Sequence, residues 1–488
     1  MPDQNATPEP STPIPGSPPT PDERATGDLL RRTAELAIAW RSGLDGRRVG
    51  ADPSLTPEAL RSSLGGPLPQ HGTDAWGVVS ELARDAEPGL IAMSGPRYFG
   101  FVIGGSVPAA LAADWLTSAW DQNAGLYLAT PSAAMVEEVA GAWLVELLGL
   151  PAGTSVGFVT GATMASTTCL AAARGAVLRA AGWDVEEDGL VGAPPVRVLV
   201  GGDVHLSVLM ALWYLPGRAA PSACRPTPRA GCIPTPSPPS RATMGRSSCA
   251  HRRAKASTPG RSDPLARDRA GRDGTMARGS MSTARSGLWA AASLRAAAPG
   301  RRPRGADLWA TDGHKWLNVP YDSGFAPVRD AAAHRAAMQQ AAPHTCPRAR
   351  APPATPGTTY WSCPGAPGVH RVRRDQELGA TGIAALVERD HDPRDAWRTA
   401  SDPSGRDHHR QRCGAQPGVA GVREDDDLTR DAIARIQREG TTWLGATTFK
   451  GRARMRVSVS GWHTTAADID RSADAILRCV DEALAGRG

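Results

Sequence analysis

Apolar residues recur at helical spacing through the first part of the chain. Between Asp28 and Trp40, Leu29, Leu30, Ala34, Leu36, Ala37 and Trp40 share one side of a predicted helix. A second helix is predicted after Thr56-Pro57, where proline suits the first turn, and a third over Trp76 to Ala86. Ala133 to Leu150 is amphipathic, with Val136, Val139, Ala140, Trp143, Leu144 and Leu147 as its stripe and Glu137 and Glu138 near the positive end of the dipole. The period then changes. Gly157-Phe158-Val159 reads as a strand end, Met164 to Leu178 as a helix, and Val196 to Gly201 as a strand buried on both faces. Such alternation predicts an α/β layer with a mostly parallel sheet. Near the C-terminus, Leu428 to Glu439 and Thr465 to Leu484 read as helices, and Met455 to Ser460 alternates as a strand.

Composition changes this picture in one place. The chain of 488 residues carries a net charge of +6. Residues 216–305 hold 18 Lys/Arg against 3 Asp and no Glu, leaving 37 basic and 46 acidic residues elsewhere. The protein is therefore an acidic chain with one basic, Pro-, Ser- and Gly-rich block that cannot easily build a core. Aromatic residues for base stacking are nearly absent from the block, which argues against a nucleic-acid partner. The most apolar run, around Val107 to Trp120, is interrupted by Asp114, so no membrane span is expected. Residues 1–27 are Pro/Ser/Thr-rich without the basic and apolar regions of a signal peptide, and a disordered leader on a cytoplasmic protein is expected. The eight cysteines show no C-x-x-C pair and no metal-ligand spacing, and they read as free thiols.

Candidate chemistry centres on ADLWATDGHKWLNVPYDSGF, Ala306 to Phe325. An ammonium among apolar neighbours is disfavoured, which would free the Lys315 amine as a nucleophile toward carbonyls. Spacing alone does not separate that reading from a solvated loop lysine. Thr311, Asp312, His314, Lys315 and Trp316 resemble the Ser/Thr-Asp-x-His-Lys-Trp run of the group II pyridoxal-phosphate-dependent decarboxylases, the family of the aromatic-amino-acid and glutamate decarboxylases.

The resemblance extends along the chain. Arg97 to Asn123 is similar to the family's substrate-side loop, which puts Tyr98, Phe99 and Phe101 beside the substrate; the bland alternative is a turn feeding a buried helix. Gly161, Ala162 and Thr163 form a small-residue turn that can aim N–H groups at an anion, and the resemblance makes them the cofactor's phosphate cup. Asp203, His205 and Ser207 match a D-x-H-x-S run whose histidine stacks on the pyridine ring. Trp443, Phe449, Arg456 and the Trp462 to Thr465 run resemble the family's small domain, with His463 in a loop or cap role.

By resemblance the expected fold is α/β, that of fold type I pyridoxal-phosphate enzymes. It comprises N-terminal helices over 28–95, a large cofactor domain over 96–340, an irregular stretch over 341–424 and a small C-terminal α+β domain over 425–488. The resemblance implies pyridoxal 5'-phosphate held on Lys315, with His314 beside it, an amino acid as small-molecule substrate, loss of its carboxylate as CO₂, no metal, and a homodimer wrapped by the N-terminal helices. A related deaminating or aldehyde-forming activity fits the same residues.

One element of the pattern is missing. The family supplies an Asp-x-Ala motif whose carboxylate pairs with the pyridine nitrogen, and the written chain has Ser282-Thr283 there. Written as codons and re-read two bases downstream, Gly279 to Ser286 (GSMSTARS) permits V-H-V-D-G-A-F, the expected motif. The same offset over Ala250 to Ser262 permits A-S-A-G-E-G-V-N-T-G-A-F. Arg410 to Glu424, re-read one base downstream, permits V-N-D-V-V-L-N-Q-V-L-R-V-F-G, a β-patterned run. A reading frame that slips and recovers accounts for the basic block, and it implies that the written chain is an impaired enzyme or a non-catalytic remnant.

Overall fold

The computed structural model describes residues 21–124, 127–201, 204–215, 221–226, 232–234, 247–252, 278–282, 288–292, 306–338, 374–389, 418–449 and 451–486. Asp203, Thr283, the first 20 residues of the expected leader and most of the re-read segments lie outside them. The chain divides into two compact units, residues 1–92 and 93–488.

The first unit is helical. Helix α1 (Pro21–Ser42) starts seven residues before the predicted Asp28, with Asp22 and Glu23 in its first turn. Helix α2 (Pro57–Leu64) begins where predicted, because the Thr56 hydroxyl accepts the Ala59 N–H and Pro57 needs no donor there. Helix α3 (Ala75–Ala86) is capped in the same way by Asp74. None of the three buries a residue fully; they meet through contacts such as the Arg32 guanidinium 3.5 Å above the Trp76 ring.

The second unit is built on a nine-stranded sheet. Its strands are β1 (Ser155–Val159), β2 (Val196–Gly201), β3 (Pro221–Pro226), β4 (Cys232–Pro234), β5 (Ser247–Arg252), β6 (Arg278–Ser282), β7 (Leu308–Trp309), β8 (Thr311–Asp312) and β9 (Gly324–Val328). They run in the order β1-β9-β7-β6-β5-β2-β3-β4, with β8 also on β9. Strands β3, β2, β5, β6 and β7 are parallel; β9 is antiparallel to β7 and to β1, so β1 points the same way as the parallel set. The mostly parallel α/β sheet expected from the sequence is present.

Helices α4 (Pro108–Trp120) and α5 (Pro131–Leu147) precede β1, and α6 (Ala162–Ala180) follows it. Helix α5 buries Ala133, Glu137, Ala140 and Leu144, while Val139 is exposed, so its inner face is rotated from the predicted stripe and Glu137 lies inside it. Helix α6 is alanine-rich and buries twelve residues, because small side chains let it lie close against the sheet. A short helix, α7 (Val185–Asp188), leads toward β2, and α8 (Leu206–Tyr214) follows that strand.

Beyond α9 (Ala331–Met338) and α10 (Arg374–Arg389), a three-stranded sheet orders β10 (Gly418–Ala420), β12 (Arg452–Val457) and β11 (Gly445–Phe449) under helices α11 (Asp426–Glu439) and α12 (Ala466–Ala485). Strand β12 ends three residues before the predicted Ser460 because the chain leaves its hairpin there and gives the Ser458 N–H to the Phe99 carbonyl. This C-terminal segment is part of the second unit, tied to residues 96–99 by bonds such as Thr464 Oγ1 to the Pro96 carbonyl, 2.9 Å.

A buried histidine makes stability depend on pH. His334 on α9 is 2 % exposed, its Nδ1 lies 2.8 Å from Ser155 Oγ, and burial lowers its pKa from 6.5 to about 4. The unfolded chain therefore binds this proton first as pH falls, and unfolding free energy should drop between pH 6.5 and 4, by up to ~3 kcal/mol. Denaturant titrations across that range should show the slope, and His334→Gln should flatten it.

Candidate active site

Strand β9 assembles the site. On one side its first residue, Gly324, pairs with Val159, the last residue of β1; on the other it pairs with Asp312, the last residue of β8. Strand β1 leads into the Gly161 turn, and β8 leads into His314-Lys315. One strand end thus brings two segments about 150 residues apart in the chain into contact. A Cβ on Gly324 would lie 2.5 Å from Gly161 Cα, so glycine is required for the approach.

Between these segments lies a cavity of about 320 Å³, lined by Thr160 to Met164, Asp312, His314, Lys315 and Asp322. Helix α6 opens onto it. Gly161 is the N-cap and supplies no side-chain acceptor, so first-turn N–H groups are left without intrahelical partners. One of them, Ala162 N–H, donates to Asp312 Oδ1 at 2.6 Å.

Asp312 is 2 % exposed and central. Its Oδ2 accepts from Lys315 Nζ at 2.6 Å, and His314 Nε2 lies 3.5 Å from its Oδ1. This corrects the expectation of an amine among apolar neighbours: a carboxylate at contact distance favours the ammonium. His314 Nδ1 accepts the Ser323 N–H at 3.1 Å, which leaves the ring proton on Nε2, facing Asp312. The His314 ring stacks on Tyr321 at 4.2 Å. Burial, with Asp312 as a second cause, holds the Tyr321 phenol above its ordinary range.

The loop after Lys315 is fixed by a residue the sequence reading passed over. Asn318 is fully buried at φ 51°, a conformation that asparagine tolerates better than most residues. Its Nδ2 donates to the Trp316 carbonyl at 2.9 Å and the Ser460 carbonyl at 3.1 Å, and its Oδ1 accepts the Trp462 N–H at 2.8 Å. Gly104 closes the same corner, since a Cβ there would lie 2.4 Å from the Lys315 carbonyl and 2.6 Å from that of Ser460.

Gly161, Ala162, Thr163, His314 and Lys315 line this one cavity. His205 does not line this cavity. It caps α8, its Nδ1 accepting the Ser207 N–H at 3.1 Å, just past the carboxyl end of β2 on the edge where β1 also ends. Phe99, expected beside the substrate, is instead buried with Val459 and Ile469, because its N–H bonds the Trp443 carbonyl and turns the ring into that core. Tyr98 is 4 % exposed, stacked on Trp443 at 5.0 Å, and burial pushes its phenol up to about 12. Phe101 is exposed at φ 48° with its ring 5.5 Å from Trp443.

The fold is that of pyridoxal-phosphate enzymes of fold type I. Over 96 % of this chain and 99 % of the other, it superposes with a TM-score of 0.73 and 18 % identity on Oryza sativa TDC, crystallised with PLP and tryptamine. Mouse CSAD superposes at 0.76 with 15 % identity, over 94 % and 99 % of the two chains. No family model matches the chain. In sequence it is 28 % identical over 170 residues to tryptophan decarboxylase 1 of Oryza sativa subsp. japonica, which is 33 % of this chain and 32 % of that protein. It is 34 % identical over 104 residues to L-2,4-diaminobutyrate decarboxylase of Rhizobium meliloti (strain 1021), 21 % of each. The matched sequence thus spans a third or less of these curated relatives. In these segments of its sequence, and in its fold, the chain is similar to group II pyridoxal-phosphate-dependent decarboxylases.

Close packing at the two glycines gives a direct test. Gly104→Ala and Gly324→Ala should each cost about 1–3 kcal/mol in denaturant unfolding, since only backbone can yield. Gly66→Ala, with nothing within 4 Å of the added carbon, should leave stability within about 0.5 kcal/mol of the parent.

Proposed function

We propose that the protein is a pyridoxal-phosphate-dependent decarboxylase of an L-amino acid. The observation that carries this reading is Lys315, its amine 2.6 Å from Asp312, in a cavity whose opposite wall is the N-terminus of α6. The donor set fits the cofactor: an amine for the aldehyde carbon, and first-turn N–H groups with the Thr163 hydroxyl for a phosphate. When bound, the cofactor supplies an electron sink for the charge left as the substrate carboxylate departs.

The chain's own residues bind and orient. Lys315 would hold the cofactor covalently, and Gly161, Ala162 and Thr163 would cup its phosphate. His205, which caps α8 past the end of β2 and lies outside the cavity lining, would cover the ring only from that side, and His314, set by Ser323, steadies Asp312. Tyr98 and Phe101, gathered around Trp443, form the substrate side. Curated relatives are named for tryptophan, aromatic L-amino acids and 2,4-diaminobutyrate, which supports an amino-acid substrate without choosing among them.

At the position where the family carries a carboxylate for the pyridine nitrogen, the written chain has Ser282-Thr283. Ser282 ends β6 in register with Trp309, one residue past which β8 leads to Asp312 and the site. That strand end is the expected position for the partner, and a serine there carries no charge. With the reading frame slipped there, the written chain is impaired, and its repaired form is the enzyme.

A second copy of the chain is the proposed partner. Trp115, Leu116 and Trp120 on α4 and Leu206, Trp213 and Tyr214 on α8 are exposed, and such large apolar groups suit a homodimer face. Among the described residues no helix is long and apolar enough to cross a membrane. The buried Cys169 and Cys479 are thiols and not disulfide-bonded, which supports a reducing, cytoplasmic setting.

The test is chemical. The chain with pyridoxal phosphate should give, after borohydride, an adduct mapped by mass spectrometry to Lys315, and Lys315→Ala should give none. Replacing Gly279 to Ser286 with the re-read V-H-V-D-G-A-F should raise CO₂ release from an L-amino acid by about 100-fold or more, because a charge aimed at the reacting system is restored. A repaired chain that takes no cofactor on Lys315 would sink the assignment.

A further inference from the structure

Asp312 does more than steady the lysine. The anion cup at the start of α6 is partly filled by a carboxylate of the protein itself: Oδ1 takes the Ala162 N–H at 2.6 Å, while Oδ2 takes the Lys315 ammonium at 2.6 Å. The group is 2 % exposed and is pinned from three sides, His314 Nε2 being the third at 3.5 Å. A phosphate approaching the same helix end meets one donor already engaged and a negative charge against the cup. A second carboxylate, Asp322, lines the cavity as well, whereas the Ala162 N–H donates to Asp312.

We propose that Asp312 is a resident counter-anion of the cup: it occupies the Ala162 N–H in the free protein, and an incoming phosphate must displace it from that donor. Asp312 is therefore a positioning residue that sets how tightly the cup holds a phosphate relative to the rest of the ligand. The inference rests on the cup assigned under Proposed function. It goes further in making cofactor retention a competition between two anions for one backbone donor.

Calorimetric titration of the full chain with inorganic phosphate, and with pyridoxal phosphate against pyridoxal, separates the possibilities. Asp312→Asn keeps the shape and removes the charge. It should tighten inorganic phosphate by about tenfold or more and raise the pyridoxal phosphate to pyridoxal affinity ratio by a similar factor. Asp322→Asn, which removes a nearby charge without freeing the Ala162 N–H, should give a clearly smaller change. A purely structural Asp312 would weaken all three ligands together. Asp312→Ala serves if the asparagine variant melts early, and it should shift phosphate in the same direction.

Unchanged or weaker phosphate binding in the Asp312 variants overturns the proposal. So does an equal gain in Asp322→Asn, or a failure of parent and variants alike to bind phosphate. Borohydride trapping on Lys315 in the parent reports separately on the cofactor reading. Trapping with unmoved phosphate affinity defeats only this inference, whereas tightened phosphate without trapping defeats only the cofactor assignment.

Discussion

The pairing of Gly324 with Val159 on one side and Asp312 on the other is the constraint on which the site depends. A sheet register is a rigid ruler: once β9 is zipped to β1, the distance from the α6 N-terminus to the lysine hairpin is fixed by backbone hydrogen bonds and not by flexible side chains. Glycine at the junction lets two backbones approach to a separation that any side chain would forbid. The ion pair between Asp312 and Lys315 then needs little further ordering, because both residues lie within one tight hairpin held by the Gly313 N–H to Ser323 carbonyl bond at 3.0 Å.

Burial gives that ion pair its character. A surface pair of this kind contributes little, but Asp312 is almost inaccessible and satisfies three donors, so losing any one leaves charge in a poorly solvated place. Surrounding packing is stiff: Phe158, Phe325 and Trp289 meet edge to face, and the Trp289 indole donates to Thr311 Oγ1 at 3.0 Å. The hairpin that carries Lys315 therefore stands on a solid aromatic floor.

Local signals were legible in the sequence and non-local ones were not. The helix after Thr56 starts where the sequence puts it, and those capped by Asp74 and Thr465 start within a residue of the predicted positions, with Thr465 and not His463 as the last cap, because capping involves only residues three or four apart. The Gly161 turn and the lysine run could be read for the same reason. Strand β9 could not: it is five residues long, contains Pro327, and earns its place only by pairing with β1, whose partners lie some 170 residues earlier. Strands β7 and β8 have two residues each, too few for any periodicity. Phe99 shows the reverse error, in which an aromatic residue suggested a ligand wall and the backbone bond to Trp443 sent it into a core. Asn318 left one faint sign, an asparagine in an otherwise apolar turn, and its partners 142 and 144 residues further on were invisible.

Asn318 also determines when the site can exist. Its side chain bonds Ser460 and Trp462, so the loop behind the reactive amine is braced by a stretch made some 140 residues later. A nascent polypeptide folds from its N-terminal end, so the lysine hairpin can zip onto β1 before that stretch exists. Register and brace therefore form in separate steps. A folding intermediate caught between them carries every groove-lining side chain without the support that sets them.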